Sequence, residues 1–367
     1  MTDANKISLN KKVTLDLYSM KKSSDAIIHE LRYLFWECTV RCNLSCLHCG
    51  SDCSRDTQAP DMPLPHFLDI LDKMAHRADP SKIAIAITGG EPLMRTDLAD
   101  AGREITRRGY FWGMVSNGYF LTQDKMNELI DSGIKSLTIS LDGIEADHNW
   151  FRGKNESFGR AVSAIGYAVD FVKKGMIFDV VTCVNKRNFR SLDKIRDVLI
   201  DIGVNKWRLV SIFPKGRAQD NPELKLSGEE FRKTLDFIKA TRDDGKIIAS
   251  YGCEGFLGGY EMETRDFPFY CRAGISVGSV LVDGSISACP SLRADYIQGN
   301  IYKDDFLDVW NNRFHVMRNR DWLRTGECAR CKVWKYCKGN GLHLRKEKTG
   351  ELLYCNYNAL IKDTDRV

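Results

Sequence analysis

Between about residue 32 and residue 245 the chain alternates short apolar, β-branched runs with longer stretches whose apolar positions recur at three- or four-residue steps. A short run of this kind predicts a strand, and a repeat near 3.6 predicts an amphipathic helix. Six strands are expected, at 33–38, 83–88, 111–116, 136–141, 177–184 and 207–212. Helical stretches separate them; in 157–174, for example, Ala161, Ile165, Ala168 and Val172 share one face. Repeated βα units of this kind imply an α/β chain with a parallel sheet, and six of them fit a partial (β/α)6 TIM-like barrel. In such barrels the chemistry gathers at the C-terminal ends of the strands.

The flanks differ. Residues 1–31 read as a polar N-terminal extension with room for one helix. After residue 250 the periodicity fades and Gly, aromatic and Cys residues dominate, so 32–250 is expected to form the barrel and 251–367 a small, irregular, cysteine-rich α+β domain, with the boundary between 246 and 252. A chain of 367 residues exceeds what one core usually serves.

Composition narrows the class. Lys and Arg exceed Asp and Glu by only 54 to 49, a net +5 too mild and scattered to argue for nucleic acid. No apolar run is long enough for a spanning helix, and MTDANKISLNKK has no apolar export region, so a cytoplasmic protein is expected. Thirteen cysteines are then hard to read as disulfides, since the cytosol keeps thiols reduced. Metal binding is the better account.

The cysteines fall into groups. Cys42, Cys46 and Cys49 stand at Cys-x3-Cys-x2-Cys spacing just after the first predicted strand. A cubane cluster has four irons, so three thiolates hold it and leave one iron open to a small molecule. Half of a zinc site is the competing reading. The spacing resembles that of the radical S-adenosylmethionine (SAM) superfamily, in which the open iron chelates SAM and an electron from the cluster yields a 5'-deoxyadenosyl radical. By the same resemblance His48 is a flat ring placed to pack on adenine. Gly89-Gly90-Glu91-Pro92 resembles the element that receives the SAM ammonium. Ser140 and Asp142 are candidates for the ribose or methionyl end, and Asn117 and Asn185 are similarly placed after the third and fifth strands. In the segment His148–Gly153, HNWFRG, Arg152 is a candidate to pair with a carboxylate. Cys38 and Cys183 are expected to pack as small apolar residues. Cys53 is left out of the ligand set, because a fourth protein ligand would block the open iron.

In the last third, Cys271-x12-Gly284-x4-Cys289 precedes Cys328-x2-Cys331-x5-Cys337 and a late Cys355. This pattern resembles the SPASM domain, an auxiliary-cluster extension of peptide- and protein-maturing enzymes; Gly299-Asn300-Ile301 and Trp310 also fit it. The resemblance implies one 4Fe-4S cluster on Cys328, Cys331, Cys337 and Cys355, although zinc would also satisfy four thiolates. One position departs from the pattern, since Gly341 stands where a further cysteine is usual. A second auxiliary cluster would then have Cys271, Cys289 and upstream Cys253, with its fourth ligand missing or non-cysteine. Pro290, directly after Cys289, replaces the catalytic aspartate of anaerobic sulfatase-maturing relatives and counts against that activity.

Together these features imply a SAM-cleaving radical enzyme acting on a peptide or protein side chain, with one or two auxiliary iron-sulfur clusters and a flavodoxin- or ferredoxin-type reductant. The short N-terminal extension leaves room for a separate precursor-recognition protein. The run YLFWECTVRCNLSCLHCGSDC looks most like a subgroup associated with lipoprotein partners. Two competing readings are a tetrapyrrole- or haem-precursor-processing enzyme and a non-catalytic iron-sulfur or zinc scaffold.

Overall fold

A computed structural model describes residues 3–361 other than positions 220 and 253. Seven strands run parallel in chain order: β1 (Tyr33–Thr39), β2 (Ala84–Gly89), β3 (Phe111–Ser116), β4 (Ser136–Ser140), β5 (Ile177–Val184), β6 (Lys206–Ser211) and β7 (Ile248–Tyr251). Helices α2 (Leu64–Ala75), α3 (Leu98–Arg107), α4 (Gln123–Asp131), α5 (Glu145–Arg152), α6 (Ser157–Val172), α7 (Leu192–Ile202) and α8 (Gly228–Asp244) occupy the crossovers, after an N-terminal α1 (Leu9–Ile28). The sheet does not close on itself, and this is the expected partial barrel.

The six expected strands all form, with ends shifted by one residue or so. The seventh, β7, lies across the expected domain boundary. The tail then adds to the same sheet: β8 (Val277–Val280) pairs parallel with β1, and β9 (Ser285–Ser287) and β10 (Gly299–Asn300) continue it antiparallel. The last third is therefore hydrogen-bonded into the barrel sheet beside the first strand. Helix α6 stops two residues before its expected end, ahead of Gly175, whose positive φ of 94° suits a turn.

Alternating burial explains the strands. Along β5, Phe178, Val180, Thr182 and Val184 are buried while the residues between them are less so. Trp36 of β1 stacks on Phe67 of α2 at 4.3 Å, and one large core runs under the sheet from Leu34 to Trp310. The last helix of the crossovers, α8, starts on a capping box between Ser227 and Glu230. Helix α1 buries only Leu15 and Lys22 and lies against the tail. Its Lys22 ammonium donates to the Tyr336 carbonyl at 3.0 Å, and Ser19 donates to the Lys335 carbonyl at 3.2 Å.

The turn from β4 into α5 is held by buried polar groups. The Asp142 N–H donates to Nδ1 of His148 at 3.0 Å, so that nitrogen must stay unprotonated. Burial, aided by the nearby Arg152 charge, lowers the His148 imidazole to about 3. Between that value and the ordinary histidine value of about 6.5, only the unfolded chain binds the proton. Stability supplied by neutral His148 is therefore present above about pH 6.5 and lost as pH falls toward 3. Thermal melting of anaerobic wild type and His148→Asn should show the gap between them shrinking by about 2 kcal/mol from pH 7 to pH 5. A gap independent of pH would mean that His148 is not held neutral by the fold.

Candidate functional site

Every motif singled out in the barrel lies at the C-terminal edge of the sheet. The loop after β1 carries Cys42, Cys46, Cys49 and Cys53 into one small cluster with Leu44. Its path is fixed by backbone contacts on several sides. The Cys42 N–H donates to Ser54, while the N–H groups of Ser45 and Leu47 donate to the carbonyls of Arg152 and Phe151 at the end of α5, at 3.2 and 3.0 Å. Arg217, in the loop after β6, grips the other side: its Nε donates to the Cys46 carbonyl at 2.8 Å and its Nη1 to the Cys53 carbonyl at 3.1 Å.

The glycine pair after β2 presses against this loop. A Cβ on Gly89 would lie 2.2 Å from the Thr39 carbonyl oxygen, and one on Gly90 would lie 2.2 Å from that of Arg41 and 3.1 Å from the Cys42 Cβ. Only glycine permits that approach. The Gly90 and Glu91 N–H groups donate to those same two carbonyls. The Glu91 carboxylate, buried, accepts from Leu93 N–H, Ser116 Oγ and Asn117 N–H at 3.1, 2.9 and 2.7 Å. Burial raises its pKa, and these three donors work in the opposite direction. With about four lone-pair sites on a carboxylate, Glu91 keeps one free. Pro92 opens the short turn Pro92–Met94 that Glu91 caps.

Asn117 donates to Asn43 Oδ1 at 2.9 Å and has its Nδ2 4.0 Å from the Cys42 sulfur, which ties the end of β3 to the cysteine loop. Ser140 is buried at the end of β4. Asp142 is committed to the fold: Oδ1 accepts from Cys183 N–H at 2.7 Å and Oδ2 from Arg152 Nε at 2.6 Å. Asn185 is likewise used locally, its Oδ1 accepting from the N–H groups of Arg187 and Asn188. His48 stacks face to face on Phe151 at 4.2 Å, and burial pushes its pKa well down.

Arg152 is the charge at the centre of this arrangement. It pairs with Asp142 and places Nη1 3.6 Å from the Cys46 sulfur. Burial opposes its charge, but Asp142, Cys46 and Cys183 together outweigh that and keep the guanidinium protonated. Burial also raises the thiols: Cys42 to about 11, with Cys46 and the barrel residues Cys38 and Cys183 pushed up as well. Cys49 is the exception, lowered to about 6 chiefly by hydrogen bonding from the Cys53 thiol. Cys53 thus supports Cys49 from behind. The contact of Arg152 with a cysteine sulfur, and the whole role of Arg217, leave no motif in the sequence.

A polar, anionic group fits here. Asn43 Nδ2 and His48 Nδ1, on either side of the cysteine triplet, are buried without a hydrogen-bond partner, and the buried Arg152 faces a sulfur. Among the described residues no three His, Cys, Asp or Glu side chains converge closely enough for a single ion. A cube does not need that convergence, because its thiolates sit on separate irons.

In the tail, Cys328, Cys331, Cys337 and Cys355 are electrostatic neighbours. Arg345 Nη2 lies 3.1 Å from the Cys328 sulfur, the Asn340 N–H 3.2 Å from that of Cys337 and the Asn358 N–H 3.5 Å from that of Cys355. Such donors suit thiolates bound to a cluster. Cys271 is half-buried, and its pKa is lowered because Arg320 and nearby N–H groups outweigh the effect of burial. Cys289, just past β9, packs half-buried on the main core. Cys253 lies outside the described residues. Next to it, Glu254 is a buried carboxyl accepting from Tyr251 at 3.0 Å, with burial raising it to about 8; the sequence gives no sign of it.

Residues 36–199 match the radical SAM superfamily and residues 271–332 an iron-sulfur cluster-binding SPASM domain. The chain is 26% identical over 336 residues to an AdoMet-dependent heme synthase of Methanosarcina barkeri, covering 86% of this chain and 92% of that protein. It is 28% identical over 317 residues to the mycofactocin maturase MftC of Mycolicibacterium smegmatis, covering 83% and 76%. Its fold is similar to that of Streptococcus suis SuiB bound to S-adenosylmethionine, with a TM-score of 0.68 and 17% identity over 96% of this chain and 84% of that one. The two matched domains imply a 4Fe-4S cluster, SAM and auxiliary clusters. A barrel with a cysteine triplet beside a glycine cradle at its strand ends, followed by a second set of thiols, makes this chain a radical SAM enzyme with a SPASM domain.

Proposed function

We propose that the chain cleaves SAM reductively at a cluster held by Cys42, Cys46 and Cys49 and modifies a peptide or protein side chain. The observation that carries the reading is the packing of the Gly89–Gly90 turn against the cysteine loop, which brings three thiols, backbone carbonyls and the remaining lone pair of Glu91 to one edge of the sheet. When bound, the cluster supplies one electron to the sulfonium and so generates the 5'-deoxyadenosyl radical. The chain's own residues do the rest. Gly89 and Gly90 let the end of β2 pack directly on the cysteine loop. Glu91 offers an acceptor for an ammonium, His48 a flat ring for adenine, and Ser140 a hydroxyl for ribose; Asn117 holds the cysteine loop, and Asp142 and Asn185 act mainly by shaping the rim. Arg152 balances the negative charge of the thiolate-bound cluster.

The peptide reading is supported by the fold shared with SuiB, a structure of which is bound to the precursor peptide SuiA, at a TM-score of 0.67, and by the likeness to a mycofactocin maturase. A mostly apolar cavity of about 430 Å³ beside the ends of β5 and β6, lined by Val184, Ile212, Leu353 and Tyr354, is a candidate seat for a side chain. Tetrapyrrole processing is the second reading, favoured by the match to the Methanosarcina heme synthase along 92% of that protein's length. Either reading calls for a low-potential donor of the flavodoxin or ferredoxin type, and the peptide reading leaves a place for a separate recognition protein.

Anaerobic reconstitution with SAM and dithionite should release 5'-deoxyadenosine, and peptides encoded near the gene should change mass in a SAM-dependent way while an iron porphyrin precursor does not. Turnover of the porphyrin alone would reverse that order, and no 5'-deoxyadenosine at all would remove the enzyme reading. Gly90→Ala tests the cradle. Its methyl group would collide with backbone that cannot yield, so the variant should lose about 4 Fe per chain and at least ~100-fold in 5'-deoxyadenosine formation. A variant with unaltered iron content and rate would show that the close approach is dispensable.

A further inference from the structure

Cys271 and Cys289 stand outside the group of Cys328, Cys331, Cys337 and Cys355, and two thiolates are too few for a cube of four irons. If these two cysteines hold an auxiliary cluster, as the resemblance of the tail to the SPASM pattern implies, other donors must fold against them. The surroundings of the Cys271 sulfur provide one. The Arg320 guanidinium donates to the Cys271 carbonyl at 3.1 Å and to the Asn340 carbonyl at 3.3 Å, which holds the tight turn Leu342–Leu344 close to Cys271. On this turn the His343 ring folds back over Gly341. A Cβ at Gly341 would lie 2.5 Å from the ring's Cε1 and 2.9 Å from its Nδ1. The imidazole therefore occupies the space in which a side chain at 341 would begin.

Other contacts fix the ring in place. Phe213 meets it edge to face at 5.1 Å, and Arg320 is a charged neighbour of both His343 and Cys271. Neither ring nitrogen has a hydrogen-bond partner among the described residues. A second observation points to an absent acceptor at the same place. The Tyr296 hydroxyl is buried without a partner, and Cys271 and Arg320 are among its charged neighbours. A buried hydroxyl left unpaired is destabilising, and a sulfur of a bound cluster would accept from it.

We propose that His343 is a ligand of the auxiliary cluster that includes Cys271 and Cys289, its imidazole taking the iron that a thiolate from position 341 would otherwise hold. Gly341 is then the residue that makes room for the ring, and the ring supplies the donor that position 341 lacks. Replacing one thiolate by a neutral imidazole removes a negative charge from the cluster and raises its reduction potential, as histidine ligation does in other iron-sulfur centres.

The test uses the full chain, reconstituted without oxygen and carrying 15N-labelled histidine. Pulsed electron paramagnetic resonance of the reduced wild type should show strong coupling to a histidine nitrogen. That coupling should vanish in His343→Ala, along with up to about 4 Fe per chain. His343→Cys should keep the iron, lose the nitrogen coupling and titrate at a more negative potential. A wild type without histidine coupling, or an Ala variant that retains it, overturns the assignment. Cys271→Ala separates the two layers of the argument. If it loses iron while histidine coupling is absent from wild type, only the role of His343 fails; if its iron count is unchanged, the auxiliary cluster itself fails and His343 with it.

Discussion

A guanidinium withdrawn from water has to be matched by negative charge, and in this fold the match for Arg152 joins the barrel to its cysteines. Arg152 ends α5, pairs with Asp142 at the end of β4 and reaches the Cys46 sulfur. Removing one partner of a buried ion pair generally costs about 3–5 kcal/mol, because the other charge is stranded. The same stretch of backbone receives the N–H groups of Ser45 and Leu47, so the charge pair and the cysteine loop are set by one turn of helix. This constraint explains why Asp142 is spent on structure. Its carboxylate orients the cation that faces the cluster site, whereas Glu91, held by three neutral donors, retains capacity for a ligand.

The tail shares in this arrangement. Glu37 on β1 is buried and pairs with Arg293, four residues past Cys289, and the same guanidinium donates to Ser51 in the cysteine loop at 3.0 Å. Phe213 touches Gly50 of that loop on one side and His343 of the tail on the other. Lys215 pairs with Glu347 just beyond. With β8 also in register with β1, the two groups of thiols are joined through a single sheet and a few shared side chains. A shift at one group cannot be absorbed by a flexible linker and must pass into the packing around the other.

What could be read in advance follows from how local each signal is. The six strands expected from the sequence are apolar runs long enough to show their period, and their motifs stand at strand ends because glycine and asparagine mark where a strand gives way to a turn. Strand β7 is only four residues long and follows the charged stretch Arg242–Asp243–Asp244, so its period is too brief to register. Strand β8 contains a glycine and a serine, and it becomes a strand because β1 offers it an unpaired edge. The cysteine spacings were legible for a chemical reason, since cluster ligands must come in fixed sets. The residues that tune them were not. Arg217 and Arg320 reach cysteine carbonyls and Arg345 a cysteine sulfur across long stretches of sequence, and each is an ordinary polar residue until the fold sets it there. Position 341 is the sharpest case: in the sequence the glycine reads as a missing ligand, and only the direction of a side chain two residues away turns it into the space that a ring requires.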